Sequence, residues 1–245
     1  MPTTDSSPSP SRKEVWRMFD RIAHRYDLLN RSLSFGQDVS WRKRLLRHLP
    51  VDRPLRLIDL ATGTADQILF LHSGKSSIHS AEGYDLSEEM LARGREKIAA
   101  RKLEKSVRLL RGDAQACPAA DASADIVTIS FGIRNVEDVP TALRDMRRLL
   151  VPGGKALVLE CSLPPNALIR RLYLLYFRHI LPRLGALVSG DAYAYNYLNR
   201  TVETFPCGEA FCQLLREAGF VDVRAEPMTF GTATLYIGVN PEAAG

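Results

Sequence analysis

Four positions in the first half of the chain have the residue types and spacing for ligand chemistry: Asp59, Gly63, Asp85 and Asp113. Asp59 lies in Leu57-Ile58-Asp59-Leu60-Ala61-Thr62-Gly63-Thr64-Ala65-Asp66, an apolar run that ends in a glycine turn. Gly63 lets the backbone approach a ligand closely, and Asp59 and Asp66 place carboxylates beside that turn. Asp85 closes the next expected strand, where a carboxylate is placed to accept both ribose hydroxyls of a nucleoside. Asp113, in Gly112-Asp113-Ala114, is placed to accept from an adenine amino group. A dinucleotide site instead needs Gly-x-Gly-x-x-Gly, whose amides cradle a pyrophosphate. That pattern is absent, and acids crowd the loop. Carboxylates repel a pyrophosphate and favour a ligand with an ammonium and a sulfonium, which describes S-adenosylmethionine. Taken singly, each acid also serves as a cap or turn residue, Asp66 most readily at the start of a helix. Together, at successive strand ends, they point to one site.

The elements that must position them alternate. Strands are expected at Leu55–Ala61, His79–Asp85, Val107–Asp113, Asp125–Phe131 and Ala156–Cys161. Helices are expected between them, to about His72, from Ser87 to about Arg101, and over Asp138–Leu150. Such alternation implies a parallel sheet covered on both faces, with ligands beyond the carboxyl ends of its strands. Val151-Pro152-Gly153-Gly154 reads as a turn. Glu209–Ala218 reads as a helix closed by Gly219. Val221–Met228 and Thr232–Val239 read as an antiparallel pair at the sheet edge. Before the sheet, Ser11 with Glu14 signals a helix start, and Val15, Phe19, Ile22, Tyr26 and Leu29 form one apolar helical stripe. A second short helix is expected from about Ser40 to Leu49. The organisation is a disordered tail over 1–11, a helical cap over 12–52, and an α/β domain over 53–240 with a helical insertion at about 163–205.

Composition sets the outer bounds. The chain has 245 residues, 45% hydrophobic and 25% charged, the balance of a globular protein. The net charge of +5 is unevenly placed, because residues 12–56 carry 12 Lys/Arg against 5 Asp/Glu. Such a segment suits nucleic acid, an anionic membrane surface or an acidic ligand, or else a plain solvated helical face. Cys117, Cys161, Cys207 and Cys212 have no metal-ligand spacing, so no metal site is expected and reduced thiols in a cytoplasmic protein are. No secretory leader or membrane-spanning run is expected. An RNA-modifying enzyme is disfavoured by the lack of an RNA-binding module and of an Asn-Pro-Pro-Tyr amine site. A nicotinamide oxidoreductase is disfavoured by the acidic loop and the lack of a Tyr-x-x-x-Lys pair.

Several strings carry a resemblance. These are Phe19-x-x-Ile22-Ala23-x-x-Tyr26-Asp27-x-x-Asn30, the Asp59–Asp66 loop, Asp85-x-Ser87-x-x-Met90-Leu91, Phe131-Gly132-Ile133-Arg134-Asn135, Pro152-Gly153-Gly154, and the segment Tyr195 to Pro206. The chain resembles the ubiquinone/menaquinone biosynthesis C-methyltransferases over about residues 14 to 240. The resemblance implies a class I S-adenosylmethionine-dependent methyltransferase fold: a mostly parallel seven-stranded sheet with helices on both faces and an antiparallel edge strand. It implies cofactor contacts at Thr64, Asp85, Asp113, Ala114 and Ser130, beside Asp59 and Gly63. In this chain Thr62 stands where the family loop has Cys, and Ala65 where it has a second Gly. The alanine is tolerable if its backbone is already helical.

The resemblance also implies methyl transfer to a ring carbon of a polyprenylated quinol, with demethylmenaquinol preferred and the ubiquinone branch or another lipid-like acceptor as alternatives. A phenolic ring carbon becomes nucleophilic when the neighbouring hydroxyl loses its proton. The protein must therefore orient the ring and stabilise the oxyanion. Arg134 is assigned to the quinol oxygen, since a guanidinium stabilises an anion and is a poor base. Asn135 and Tyr26 complete the catalytic set. Glu160 and Asp191 are candidate proton acceptors. Tyr173, Tyr176, Phe177, Tyr193, Tyr195 and Tyr197 are candidates for an isoprenoid channel. The basic residues around Arg42–Arg47 and Arg170–Arg183 fit peripheral contact with the inner face of the membrane. A nucleic-acid partner is not expected, and a homodimer is left open.

Overall fold

The computed structural model describes residues 15–72, 77–180 and 192–242. The capping pair Ser11 and Glu14, the tail at 1–11 and Asp191 lie outside the described residues, as do the side chains of Leu29, Tyr193 and Tyr195. Seven strands form one sheet: β1 (Leu55–Leu60), β2 (Ile78–Asp85), β3 (Val107–Arg111), β4 (Ala124–Ser130), β5 (Leu150–Cys161), β6 (Val221–Met228) and β7 (Ala233–Val239). Their order is β3-β2-β1-β4-β5-β7-β6. The first five pair in parallel, and β7 runs antiparallel between β5 and β6. Strand order reverses between β1 and β4, so the loops after these two strands lie side by side, where open α/β sheets bind ligands.

The inner strands β1, β4 and β7 are buried along almost their whole length because both faces are covered, whereas the edge strands β3 and β6 carry exposed polar residues. On β1, Ile58 and Leu60 join a core with α6 (Val139–Leu149) and a helix over Glu209–Glu217. Leu55 and Leu57 face the other way, into a core with α3 (Gln37–Arg44), α4 (Asp66–Leu71) and α5 (Glu88–Ala100). Ser87 caps α5, its hydroxyl accepting from the Met90 amide at 3.2 Å. The insertion contributes α7 (Ala167–Leu175), a wide turn over Tyr176–Ile180, and α8 (Ala192–Thr204), which packs through Val202 and Leu198 against Phe177. The Glu209–Glu217 helix is α9.

Two expectations are corrected. The N-terminal stripe is not one helix. α1 (Val15–Ile22) ends in a 3-10 turn at Ala23–Arg25, and α2 (Tyr26–Leu33) starts anew. The tighter turn lets α1 pack on α5 while Tyr26 meets Phe19 edge-on, ring centroids 5.9 Å apart. The Val151–Gly154 turn does not precede the fifth strand but lies within it. Ala124 pairs with Leu150 and Ile126 with Lys155, so the intervening residues bulge out. Gly153, at φ +72°, donates its amide to the Asn240 carbonyl at 2.9 Å.

Candidate active site

The loop after β1 is tied to the end of β2. The Gly63 amide donates to Asp85 Oδ2 at 2.8 Å, and the Ser87 amide donates to Asp85 Oδ1 at 2.9 Å. Burial raises the Asp85 carboxyl above its ordinary range, against these amides. Gly63 adopts φ +55°, and a Cβ there would meet nothing nearer than Tyr26 Cε1 at 4.0 Å. The loop after β4 comes equally close. A Cβ on Gly132 would sit 2.6 Å from Ala61 Cβ, so only glycine permits this approach.

Between these loops runs a cleft bordered by Gly63, Asp85, Asp113, Ala114, Ser130 and Asn135, and roofed by Val15, Trp16 and Phe19 of α1. The N-terminal helix is thus a wall of the site. It is held there by a hydrogen bond from the Ser87 hydroxyl to Asp20. A narrow extension passes Tyr26, Arg42, Asp59, Gln67 and Ser130. Asp59 is buried, and its two oxygens accept from Thr62 Oγ1 at 2.6 Å and Thr128 Oγ1 at 2.5 Å. Burial pushes its carboxyl up to about 6. Ser130 donates to Gln67 Oε1 at 2.9 Å. Thr64 borders the extension, but its hydroxyl is engaged. It donates to Asp27 Oδ1 at 2.6 Å and accepts from Lys97 Nζ at 2.9 Å. Lys97 also pairs with Asp27 and Asp66, holding Asp66 below the usual carboxylate range despite its burial. Thr64 and Asp66 therefore brace the loop against the N-terminal helices.

Ala65 is not in the helical region. It precedes α4 at φ +64° and ψ +15°, the left-handed conformation. The expectation that an alanine is accommodated by a helical backbone fails. The chain instead carries an L-residue where a glycine would be free of strain.

A second cleft opens on the far side of Phe131, which borders both. It is lined by Trp41, Tyr173, Tyr176, Phe177 and Leu198, with Arg134 and Asp38 among its few charged groups. The aromatic candidates thus divide. Tyr173, Tyr176 and Phe177 border this cleft, whereas Tyr197 donates to Asn135 Oδ1 at 3.1 Å. Phe131 has φ +59°, and its carbonyl accepts from Arg134 Nη1 at 2.8 Å. The same nitrogen pairs with Glu160 Oε1 at 2.5 Å, and Arg134 Nε has no partner. Burial acts to lower the Arg134 pKa, but the Glu160 charge outweighs it and holds the guanidinium protonated. Glu160 is committed to Arg134 and to the Cys161 amide, at 2.7 Å, and does not border the cleft. It is not placed to receive a substrate proton. Tyr26 is half-buried on the first side of Phe131, and loss of hydration there raises its hydroxyl pKa.

Of the residues expected at the site, Gly63, Asp85, Asp113, Ala114, Ser130, Asn135 and Tyr26 converge on the first cleft, Asp59 and Thr64 on its extension, and Arg134 on the second. Arg42 is a site residue that the sequence reading assigns instead to peripheral membrane contact. It is 6% exposed, lies over the Phe131 ring at 5.1 Å, and has an unpartnered Nε. Among the described residues no carboxylate lies within ion-pair distance of it. A usable signal is the spacing Asp38, Trp41, Arg42, Leu45, which marks the inward side of α3 and of the 3-10 turn that follows it.

Comparison with known proteins agrees with this geometry. Residues 8–240 match the model of the ubiE/COQ5 methyltransferase family. A protein of Thermus thermophilus named demethylmenaquinone methyltransferase is 46% identical over 226 residues, covering 91% of this chain and all of that protein. Its counterpart by name in Deinococcus radiodurans is 42% identical, covering 91% of each chain. Among solved structures, a putative S-adenosylmethionine-dependent methyltransferase of Methanococcus maripaludis superposes with a TM-score of 0.62 at 19% identity, covering 99% of both chains. The [4+2]-cyclase SpnF superposes with a TM-score of 0.61 at 17% identity, covering 97% of this chain and 98% of that one. These two show a shared fold. The chain belongs to the ubiE/COQ5 methyltransferase family, whose methyl donor is S-adenosylmethionine.

Proposed function

We propose that this enzyme methylates a ring carbon of a polyprenylated quinol, with demethylmenaquinol as the acceptor. The observation that carries the reading is the meeting of two unlike clefts at Phe131, one rich in acids and one aromatic. The names of the full-length relatives support the naphthoquinol, and the family description spans the ubiquinone branch as well.

Bound in the first cleft, S-adenosylmethionine supplies an electrophilic methyl on a sulfonium. The residues present fit that molecule. Asp85 retains lone pairs for the ribose hydroxyls after accepting two amides, and Asp113 and Ala114 border the adenine end. The open space above Gly63 admits the chain of the ligand. In the extension, Asp59 suits an ammonium, and Arg42, whose Nη1 reaches Gln67 Oε1 at 3.5 Å while its Nε has no partner, suits the carboxylate beside it. On the acceptor side the aromatic walls hold the quinol and the start of its tail, burying apolar surface worth about 25 cal/mol per Å². Arg134 presents a fixed positive charge to the oxygen on which negative charge develops. Tyr26 and Asn135 flank Phe131 and restrict the ring to one orientation.

Peripheral membrane contact follows from the acceptor. Leu168, Leu172 and Leu175 of α7 lie along one exposed face, beside exposed Arg170 and Arg171. Exposed Phe35 contacts Tyr176 at the edge of the aromatic cleft, ring centroids 5.7 Å apart. Among the described residues no helix is long and apolar enough to cross a membrane. A surface of leucines rimmed by arginine suits an anionic bilayer. Arg42 does not contribute to it, being buried, and Arg178 is paired with Glu203. Sedimentation with anionic liposomes at low salt is expected to capture the protein, and Leu172→Glu to reduce capture. Self-association through the same face, seen by analytical ultracentrifugation without lipid capture, contradicts the membrane assignment. For the acceptor, quinone profiling of cells lacking this chain is expected to show accumulated demethylmenaquinone. A demethylated ubiquinone precursor instead moves the enzyme to the other branch.

A further inference from the structure

We propose that Asp38 is the catalytic base that takes the hydroxyl proton of the acceptor. The assignment rests on the quinol reading given above. The aromatic cleft needs such a group, because the ring carbon gains its nucleophilicity only as the neighbouring hydroxyl ionises. Arg134 cannot serve, since a guanidinium holds its proton, and Glu160 is spent on Arg134. Cys161 and Tyr173 also border the cleft, but burial pushes the Cys161 thiol up to about 12 and the Tyr173 hydroxyl well above its ordinary value. Burial raises Tyr176 as well. These groups stay protonated at neutral pH.

Among the described residues that border this cleft, Asp38 is the one carboxylate. It is 3% exposed, and its position is fixed from two sides. Ser34 Oγ donates to Oδ1 at 2.9 Å, and Arg31 Nε lies 3.3 Å from Oδ2. A carboxylate has about four lone-pair positions, so acceptor capacity remains on both oxygens. Its place in the first turn of α3 does not account for it. The residue that caps this helix is Gly36, and no side chain caps it. The charged and titratable groups facing Asp38 are Arg31 from α2, Arg134 from the turn after β4, Cys161 from the end of β5, and Tyr173 and Tyr176 from the insertion.

The step balances. The O–H bond of the quinol breaks, its electron pair stays on oxygen, and the proton passes to Asp38. The ring carbon then forms its bond to the methyl, and the electrons of the broken carbon–sulfur bond stay on sulfur. The ring C–H electron pair then returns to the ring as that proton passes to water, which restores aromaticity, and Asp38 returns its own proton to the oxygen, so one proton is released per turnover.

The test is Asp38→Asn, assayed anaerobically with a short-chain demethylmenaquinol between pH 7 and 9. General-base removal typically costs 10²–10⁴-fold, so kcat at pH 7 is expected to fall at least 100-fold. Affinity for S-adenosylhomocysteine is expected to stay within threefold. The deficit shrinks as pH rises and the quinol ionises unaided, a change that a structural role does not produce. Asp38→Glu retains part of the rate. A loss below tenfold, or a loss equal at pH 7 and pH 9, overturns the assignment. Asp38→Ser gives the same readout if Asp38→Asn fails to bind S-adenosylhomocysteine. Absence of transfer by the wild-type chain at every pH sinks the quinol reading and Asp38 with it.

Discussion

Arg134 and Glu160 form a buried ion pair whose guanidinium also holds the Phe131 carbonyl, the backbone point where the two clefts meet. In the proposed reaction the side chain that holds this junction is also the one that faces the acceptor oxygen. Arg134→Ala leaves Glu160 charged and unpaired in the interior, a loss of about 3–5 kcal/mol for such pairs. Arg134→Met with Glu160→Gln removes both charges and is expected to recover most of that stability. It is not expected to recover turnover. Urea denaturation alongside a transfer assay separates the two effects, and near wild-type turnover in the double variant would reduce Arg134 to a structural role.

Ala65 offers a stability gain at the cofactor loop. A left-handed L-residue is strained by about 1 kcal/mol, and glycine relieves this while adding some entropy to the unfolded chain. Ala65→Gly is expected to raise stability by a few tenths to about 1 kcal/mol, and Ala65→Val to lower it by more than that. Thermal unfolding of the three proteins checks the order. A destabilised Ala65→Gly contradicts the strain.

Asp59 gives a pH signature. Its carboxyl is raised by burial to about 6 in the folded protein, above the unfolded value near 3.9. A raised acid favours folding while protonated, so its contribution is present below about pH 4 and is lost as pH rises through 6. A shift of two units corresponds to at most about 3 kcal/mol. Relative to Asp59→Asn, the cofactor-free wild type is expected to lose stability between pH 4 and 7. Urea denaturation at several pH values follows the difference, and parallel curves would show that Asp59 does not titrate there.

The strand-end residues are legible because each depends on local pattern: a short strand in the alternation of strands and helices, then Gly63, Asp85 or Asp113 just at or after its end. What lay outside the sequence depended on how distant segments meet. Nothing local to Tyr26 signals that its helix breaks after Ile22 and turns the ring toward Gly63. Glu160 reads as a free strand-end acid until Arg134 is seen beside it. Arg42 is followed by Lys43 and Arg44, and only the helical register of α3 distinguishes the inward cation from its exposed neighbour Lys43.

Arg42 is expected to read the amino-acid end of the cofactor. Arg42→Gln should weaken binding of S-adenosylhomocysteine at least tenfold while leaving 5′-methylthioadenosine, which lacks the carboxylate, within twofold. Charge-assisted hydrogen bonds of about 1.5–3 kcal/mol set that scale. Isothermal calorimetry with both ligands measures it. Equal losses for both ligands would mean that Arg42 supports the fold of the cleft and not the carboxylate.

The most direct test of a cofactor cleft and an aromatic acceptor cleft joined at Phe131 is transfer of a labelled carbon. Purified protein is mixed with S-adenosylmethionine carrying a ¹³C methyl group and a short-chain demethylmenaquinol, and the product is read by NMR. A ¹³C methyl on the unsubstituted ring carbon is expected. Label on oxygen, or none on the quinol, contradicts it.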